Sequence, residues 1–588
     1  MAEKQRKSQS LLNGALVLSL ATIIVKVIGV IYKIPLSNMI GTVGRGYFDS
    51  AYNLYIPIYT ISMAGLPVAI SKMVSQNLAM GKFRDVKLIH RVAKRLFLVM
   101  GILGTLAMLI LAYPYALSAK NMDVLPAIFV ITPSIFFCCI MSSYRGYYNG
   151  LRNMTPTAIS QVFEAGGKLA FGLVCAKIVI NYGYSRFEAG LEVFGKTVAN
   201  ETEALSAIYP YAAAAAAAGV TLGTVVGMIY LLILYKIKGD NITKSELANS
   251  DKPQNPKIVA KKLIAFAIPV VASSLVFSIT NLIDAITIQN RLEHMIVNNM
   301  DFIRNMYSVE LANVLDADVK NFLYGAYSLS LDFKNLIPSI TMPLGISAIP
   351  ALSAAWAVKN KKQIKVSIES VLRVTMIIAM PCGIGMGVLA QPILATFYGG
   401  GNSAAGVSIA APVMAVYGYS IFLMALSQPM TNMLQALDKA KIPLISLSLG
   451  AIAKLVANYI LVAIPSINVN GAVIGTIVCY AVIVIINLGA LIVTAKIKLN
   501  FVSVFLKPAF SGLLCGLGAY TSFGICNRLL PFDGSIKTVI CLGVGIGFGG
   551  LIYLISMLLI KGMAKDDIIM LPKGEKIAKI LAKYGFIE

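Results

Sequence analysis

Apolar runs of about twenty residues alternate with charged or turn-rich breaks along the whole chain. A helix of about twenty apolar residues crosses the hydrocarbon core of a bilayer. We therefore predict an all-α integral membrane fold with fourteen transmembrane helices. The predicted spans are 11–40, 47–78, 96–114, 124–148, 156–180, 206–235, 260–290, 321–356, 366–390, 407–436, 442–465, 469–495, 504–527 and 537–560.

Two short motifs recur in the second half of the chain. Pro67–Ser71 resembles Pro343–Ser347, and Lys168 in the fifth predicted span corresponds to Lys454 in the eleventh. Six predicted helices separate the members of each pair, so the two copies run in the same direction through the membrane. The repeat predicts two six-helix lobes related by a pseudo-two-fold axis along the membrane normal, with a transporter site between them.

The repeat and the composition of the breaks also predict where the domains begin and end. The tail carries Ile577, Ile580, Leu581 and Tyr584 on one helical face opposite lysines, which suits an anionic lipid surface; a frayed, solvated tail is the alternative. The predicted parts are an N-terminal lobe (1–235), a cytoplasmic linker (236–262), a C-terminal lobe (263–495), two further helices (496–562) and a cytoplasmic amphipathic tail (563–588).

Composition and charge placement agree with a polytopic membrane protein. Apolar residues make up 57% of the chain and charged residues 13%, and the mean hydropathy is +0.78. In a soluble protein the net charge of +24 would suggest nucleic acid. Five basic residues close to span ends are counted with the adjoining loops: Arg145, Lys261, Lys262, Lys507 and Lys537. On this count 33 of the 50 lysine and arginine residues fall in the predicted inner segments and nine in the outer ones. This asymmetry predicts a protein of the cell membrane with both termini cytoplasmic and no nucleic-acid partner.

The remaining eight basic residues lie inside predicted spans. A lysine at the bilayer centre costs about 2.5–3.5 kcal/mol, so these side chains are expected to line a protein or water-filled cavity. Because they outnumber the acids of the spans, the cavity should be cationic and favour an anionic substrate, and lysine suits a phosphate that must be released again. The eight are Lys26, Lys33, Lys72, Lys168, Lys177, Lys334, Arg373 and Lys454.

Several of these residues have a structural alternative. Lys72 and Lys177 lie near span ends and could extend to the lipid headgroups. Glu164 precedes Lys168 by four residues, and Glu369 precedes Arg373 likewise, so each pair could be neutralised within its own helix. The candidate substrate-binding residues are Lys26, Lys33, Lys72, Lys168, Lys334 and Lys454.

Acidic residues suggest a gate and a cation site rather than catalysis. Asp49 and Arg45 are candidate gate residues, and Asp284 and Asp332 are weak candidate ligands of a monovalent cation. The pair Asp316 and Asp318 could bind a metal and a nucleotide sugar, but we expect an exposed helix cap or loop on the outer face. No Ser/His/Asp set and no phosphate-binding loop occurs in the sequence, so we predict neither an enzyme nor an ATP-driven pump.

The motifs of the first two predicted spans resemble the polysaccharide-exporter branch of the multidrug/oligosaccharidyl-lipid/polysaccharide flippase superfamily. The match is nearest to the stage V sporulation protein B group, which is related to the MurJ lipid II flippases. It covers the whole length, with the specific motifs concentrated in Lys26–Pro35 (KVIGVIYKIP), Ile40–Gly41 (IG), Gly46–Tyr52 (GYFDSAY) and Ala64–Lys72 (AGLPVAISK).

The resemblance implies fourteen helices in two lobes and outward movement of undecaprenyl-pyrophosphate-linked sugars by alternating access without ATP. It implies that Lys26 and Lys33 match the paired basic residues that meet the pyrophosphate, where relatives commonly have arginine, and that Asp49 matches an acid near the outer gate. We expect a monomeric flippase for a peptidoglycan precursor, in general or sporulation-specific wall synthesis. It would use no cofactor, and the membrane potential, Na⁺ or H⁺ would drive its return.

Three alternatives remain open. The cargo could be another polysaccharide repeat unit. A drug or cation antiporter of the same superfamily would need acids in its cavity, and the excess charge of the spans has the opposite sign. A membrane-embedded glycan polymerase or ligase would need an outer carboxylate site, which Asp316 and Asp318 supply only weakly.

Overall fold

The chain folds into helices that follow the predicted apolar runs. The computed structural model describes residues 11–63, 65–240, 242–439 and 441–563. Helices make up 85% of the structure, and no β-strand occurs in the described ranges. The predicted all-α fold class is confirmed, whereas the predicted amphipathic tail lies outside the described residues from 564 onward.

The described ranges contain eighteen α-helices, numbered here in chain order. They are α1 (Leu11–Met63), α2 (Leu66–Ala79), α3 (Phe83–Ser118), α4 (Leu125–Ile131), α5 (Pro133–Gly150), α6 (Thr155–Glu188), α7 (Glu201–Lys238), α8 (Lys244–Ala248), α9 (Pro256–Met306), α10 (Val319–Lys334), α11 (Leu336–Ala357), α12 (Lys361–Val388), α13 (Ala390–Tyr398), α14 (Ala404–Ala436), α15 (Lys441–Leu461), α16 (Asn470–Ala495), α17 (Lys507–Leu529) and α18 (Ser535–Leu559).

Each of the fourteen predicted spans overlaps at least one of these helices. Ten helical stretches in the described residues are long and apolar enough to cross a membrane. The chain is therefore a multi-pass membrane protein. The total of fourteen crossings and the domain boundaries stay predictions.

The second predicted span has different limits in the structure. Helix α1 continues through the predicted break at 41–46 and bends at Gly41, whose φ of +68° favours glycine. The helical run is interrupted instead near Gly65, where an added Cβ would lie 2.4 Å from the carbonyl oxygen of Ala267. Pro67 then occupies the first turn of α2, where a missing N–H costs no helical hydrogen bond.

Two other predicted spans are each formed by two helices. The span 321–356 is divided into α10 and α11 at Asn335, and the span 124–148 into α4 and α5 at Thr132. Pro133 begins α5, because proline has no N–H to donate and is tolerated in the first turn of a helix. An apolar run alone therefore does not reveal breaks of this kind.

The chain forms two compact units. Of the described residues, those within Met1–Asn290, Leu311–Gly325 and Gly401–Ser403 form unit 1, and the others form unit 2. In unit 1 the hairpin of α6 and α7 packs on α1, while α5 packs on α2 and α3. In unit 2 α14 packs on α11 and α12, and the hairpins α15–α16 and α17–α18 each pack tightly.

The hairpins α6–α7 and α15–α16 use the same contact register. An added Cβ on Gly219 of α7 would lie 2.8 Å from the carbonyl oxygen of Lys168, and one on Gly475 of α16 would lie 3.3 Å from that of Lys454. Four residues before Lys168, Glu164 contacts Gly223, which follows Gly219 by four residues. Four residues before Lys454, Gly450 likewise contacts Cys479, which follows Gly475 by four residues. This correspondence supports the internal repeat that was predicted from Lys168 and Lys454.

Hydrogen bonds join the predicted linker 236–262 to α3 and α5 within unit 1. Arg84 at the start of α3 donates from Nε to the carbonyl oxygen of Leu247 at 2.8 Å, and the Asp85 carboxylate accepts from the backbone N–H of Gln254 at 2.7 Å. Asp240 accepts from the hydroxyl of Tyr147 at 2.8 Å. The described part of the linker is therefore ordered and contains the short helix α8.

Candidate functional site

Unit 1 holds a half-buried lysine over two aromatic rings. Lys168 extends from α6 so that its Nζ lies 5.2 Å from the ring centroid of Tyr32 and 5.0 Å from that of Tyr52, both on α1. These distances are within the range of cation–π attraction. Tyr32 is held in place because its hydroxyl donates to the carbonyl oxygen of Ala216 at 3.0 Å and its ring packs on Gly172.

The surroundings of Lys168 are rich in charge. Lys33, Glu164, Asp49 and Arg45 all lie within electrostatic range of its ammonium group. Glu164 in turn pairs with Arg145 of α5. With each group at its ordinary charge, four basic and two acidic side chains leave the cluster positive. We call Lys33, Arg45, Asp49, Arg145, Glu164 and Lys168 the unit 1 charge cluster.

The predicted gate residues Arg45 and Asp49 pair with each other. The Arg45 guanidinium is 1% exposed and donates from Nε to the Asp49 carboxylate, one turn later on α1. Its Nη1 also donates to the hydroxyl of Ser37 at 2.9 Å. A buried arginine needs such a partner, so the pair fixes the backbone just beyond the bend at Gly41.

Glu164 has a different partner from the one its sequence position suggests. The alternative in which Glu164 neutralises Lys168 on the same helix is wrong as an ion pair, because the Glu164 carboxylate pairs with Arg145 of α5 at 2.8 Å. Arg145 also donates to the hydroxyl of Ser160 at 2.9 Å. Glu164 is thus held by a guanidinium, which leaves the Lys168 ammonium directed at the tyrosines.

Sequence reasoning missed Arg145 and the tyrosines. Arg145 lies inside the predicted span 124–148 but was counted with the basic inner loop, so its position within the apolar run was the available signal. The aromatic residues follow helical spacing along α1, and their ring centroids lie 5.4–5.9 Å apart. This stripe consists of Phe48, Tyr52, Tyr55 and Tyr59.

The two lysines of the first predicted span differ in their surroundings. Lys33 is half-buried and within electrostatic range of Lys168 and Tyr52. Lys26 is exposed, and no hydrogen bond, ion pair or ring contact involves its side chain in the described part of the chain. The structure therefore brings Lys33, and not Lys26, into the unit 1 charge cluster.

Two lysines near span ends are exposed. The Nζ atom of Lys72 lies 4.1 Å from the ring centroid of Phe266. Lys177 extends from α6 two to three turns beyond Lys168. Neither lysine is part of the unit 1 charge cluster.

The candidate residues of unit 2 form a second aromatic and charged group. The Nζ atom of Lys334 lies 5.5 Å from the ring centroid of Tyr417, whose hydroxyl is 3.1 Å from that of Tyr327. Asp332 accepts a hydrogen bond from the hydroxyl of Tyr398 at 2.7 Å. Both acid and lysine are thus placed at the end of α10, next to tyrosines.

Lys454 and Arg373 are buried within unit 2. Lys454 is 6% exposed on α15, and Arg373 of α12 donates to the hydroxyl of Ser503 at 3.1 Å. Glu369 accepts from the backbone N–H of Asn500 at 2.8 Å and lies 3.8 Å from the ammonium group of Lys365. Lys454 thus differs from its repeat partner Lys168, which is half-buried.

The acidic candidates do not assemble into a metal site in the described residues. Those residues contain no group of three or more His, Cys, Asp or Glu side chains that could hold a metal ion. The side chain of Asp284 lies outside the described part of the structure. The expectation that Asp316 and Asp318 are both exposed is wrong for Asp318, which is 3% exposed because it packs against α1, while Asp316 is exposed.

The fold and these charges define a multi-pass, all-α protein of the cell membrane with a basic cluster among its helices. Residues 11–192 match the family model described as polysaccharide biosynthesis protein, and residues 287–493 match that of the lipid II flippase MurJ. The chain is 24% identical to the lipid II flippase MurJ of Bacillus subtilis (strain 168), covering 93% of this chain and 95% of that protein. It is 22% identical to the stage V sporulation protein B of the same organism, covering 96% and 98%.

Solved structures show the same fold. The inward closed conformation of a lipid II flippase MurJ has a TM-score of 0.56 at 14% identity, covering 93% of this chain and 98% of that one. An inward-facing multidrug resistance MATE family transporter of the MOP superfamily has a TM-score of 0.58 at 14% identity, covering 82% and 99%. The predicted resemblance is therefore confirmed: the chain is similar to MurJ and stage V sporulation protein B, and its fold is similar to those of a MurJ flippase and a MATE transporter of the MOP superfamily.

Proposed function

We propose that this chain is a flippase that moves an anionic polyprenyl-pyrophosphate-linked glycan from the inner to the outer leaflet. The observation that carries the proposal is the unit 1 charge cluster, in which Lys168 lies over Tyr32 and Tyr52 among further basic groups. Basic groups that have already lost part of their hydration attract a pyrophosphate more strongly than they would in water. The similarity to MurJ and stage V sporulation protein B supports a lipid-linked glycan as cargo.

Each part of the cargo has a counterpart in the proposal. Lys33 and Lys168 of unit 1 engage the pyrophosphate, and Lys26 attracts it on approach. Lys334 and Lys454 contribute positive charge within unit 2. The polyprenyl chain stays in the bilayer. A lipid II-like peptidoglycan precursor is the proposed cargo, carried by a monomer without ATP or a catalytic step, and anionic lipids would bind the basic inner face. Movement of one charge through 100 mV supplies about 2.3 kcal/mol, so the membrane potential or a monovalent cation could reset the cycle.

The test is transport by the purified full-length chain in proteoliposomes. We would measure delivery of a defined polyprenyl-pyrophosphate disaccharide to the far leaflet and compare Lys168→Ala with Lys177→Ala, an exposed lysine on the same helix. A hydrogen bond to a charged group contributes about 1.5–3 kcal/mol, so Lys168→Ala should slow transport about ten- to a hundredfold while Lys177→Ala leaves it unchanged. Equal rates for both variants and the parent chain would refute the assignment of the cluster to pyrophosphate.

A drug or cation antiporter is the second candidate because an inward-facing MATE transporter shares the fold. Its cargo would be a cation, which the excess of basic groups around Lys168 repels. Uptake of a cationic dye by the same proteoliposomes separates the two candidates. Dye transport without lipid transport would favour the antiporter.

A further inference from the structure

Asp318 is a buried carboxyl group that the proposed transport site does not use. It lies in the short turn before α10 and is 3% exposed. The hydroxyl of Tyr47 on α1 donates to its Oδ1 at 3.3 Å, and Ser206 of α7 is a second hydrogen-bond partner. The carboxyl group is therefore enclosed where the segment Leu311–Gly325 meets α1 and α7 in unit 1.

The segment Leu311–Gly325 is docked on α1 by close backbone packing and a polar network. An added Cβ on Gly325 would lie 1.9 Å from the carbonyl oxygen of Thr42, so the two backbones touch. Asn321 accepts a hydrogen bond from Asn121 at 2.8 Å, and Tyr324 accepts one from Asn53 at 2.7 Å. If the segment leaves α1, these contacts are lost together and Asp318 becomes hydrated.

Charged and titratable groups from α1, from α7 and from the segments that contain Asp123 and Lys196 surround the Asp318 carboxyl group. Burial raises the pKa of the Asp318 carboxyl group above its ordinary value, and Asp123 acts in the same direction. The hydrogen bonds from Ser206 and Tyr47 and the charge of Lys196 act against this rise. Tyr209 of α7 is also within electrostatic range. The docked carboxyl group therefore binds a proton more strongly than a hydrated one.

We propose that Asp318 is a proton-binding site that links docking of the segment Leu311–Gly325 on α1 to the pH of the compartment it faces. This inference rests on the proposed function, for which it names the proton as the regulating ion. Since the docked state binds the proton more strongly, docking is favoured as the pH falls and weakens as the pH rises through the raised pKa. The window begins near the ordinary aspartate value of about 4.

Hydrogen–deuterium exchange of the full-length chain in lipid nanodiscs tests the proposal directly. We would follow the peptides that cover 311–325 between pH 4 and pH 8 and correct each rate for intrinsic exchange. One linked proton changes the docking equilibrium by at most about tenfold per pH unit, so the protection of the parent chain should fall by up to about tenfold for each pH unit within the window. Asp318→Asn should keep the segment protected at every pH, because the amide imitates the protonated acid.

Two further variants keep the test decisive. Tyr47→Phe removes a donor that favours the charged carboxylate and so raises the pKa of the docked acid further, so its loss of protection should extend to a higher pH than in the parent chain. Asp316→Asn, an exposed neighbour, should follow the parent chain. The proposal is overturned if Asp318→Asn keeps the parent pH dependence, or if Asp316→Asn loses it equally. Because exchange does not require cargo, a chain that shows this pattern but moves no lipid would refute only the flippase.

Discussion

At the scale of single residues, the partner of Glu164 sets the net charge around Lys168, where we propose that the pyrophosphate binds. The guanidinium group of Arg145 lies 2.8 Å from the carboxylate of Glu164. Glu164 precedes Lys168 by four residues on α6. In Arg145→Ala the released carboxylate can reach the Lys168 ammonium, and such a pair is worth about 0.3–0.5 kcal/mol in exposed helices and more when partly desolvated. We expect transport to fall about two- to fivefold. The double variant Arg145→Ala/Glu164→Gln should recover most of this loss in the proteoliposome assay, and no recovery would contradict the mechanism.

The same scale shows what the sequence could and could not predict about the site. Charges inside apolar runs identified Lys33, Lys168 and Lys334 as candidates, and the structure places each beside aromatic rings or other charges. The family resemblance suggested that Lys26 and Lys33 act as a pair, but a sequence does not show what packs on each side chain. Only the packing of α6 on α1 distinguishes Lys33 from the exposed Lys26.

At the scale of the helix pair, glycines set the distance between α6 and α7. An added Cβ on Gly219 would lie 2.4 Å from the Cα of Gly172, so the backbones themselves must separate. Overpacking of this kind costs about 1–3 kcal/mol. We expect Gly219→Ala to lower the thermal unfolding temperature in detergent, whereas Gly166→Ala on α6, which has no neighbour within 4 Å, should not.

The corresponding position in unit 2 provides a comparison for this prediction. At Gly475 the nearest atom is the side-chain oxygen of Asn458, which can rotate away more readily than backbone. Gly475→Ala should therefore be milder than Gly219→Ala. Equal melting temperatures for Gly219→Ala and Gly166→Ala would show that the hairpin relaxes more easily than its contacts indicate.

At the scale of the whole molecule, apolar runs predicted the fold because each helix must satisfy its backbone hydrogen bonds internally in lipid. Every predicted span overlaps a helix, yet the predicted break at 41–46 is a bend at Gly41 within one continuous helix, and the break near Gly65 was not predicted. Those features depend on local φ values and on close approach of Ala267, which hydropathy does not contain. Likewise, the ordered linker depends on side-chain contacts such as that of Arg84 with Leu247, distant in sequence.

The orientation of the whole chain remains a prediction with a direct test. Thirty-three basic residues in the predicted inner segments against nine in the outer ones place the linker in the cytoplasm and the loop after α6 outside. We would introduce Glu192→Cys in that loop and Lys252→Cys in the linker, both at exposed positions. In intact cells, an impermeant maleimide should label Glu192→Cys above the background of the parent chain. It should not label Lys252→Cys above that background. Permeabilised cells should label both, and the reverse pattern in intact cells would mean that charge asymmetry does not set this topology.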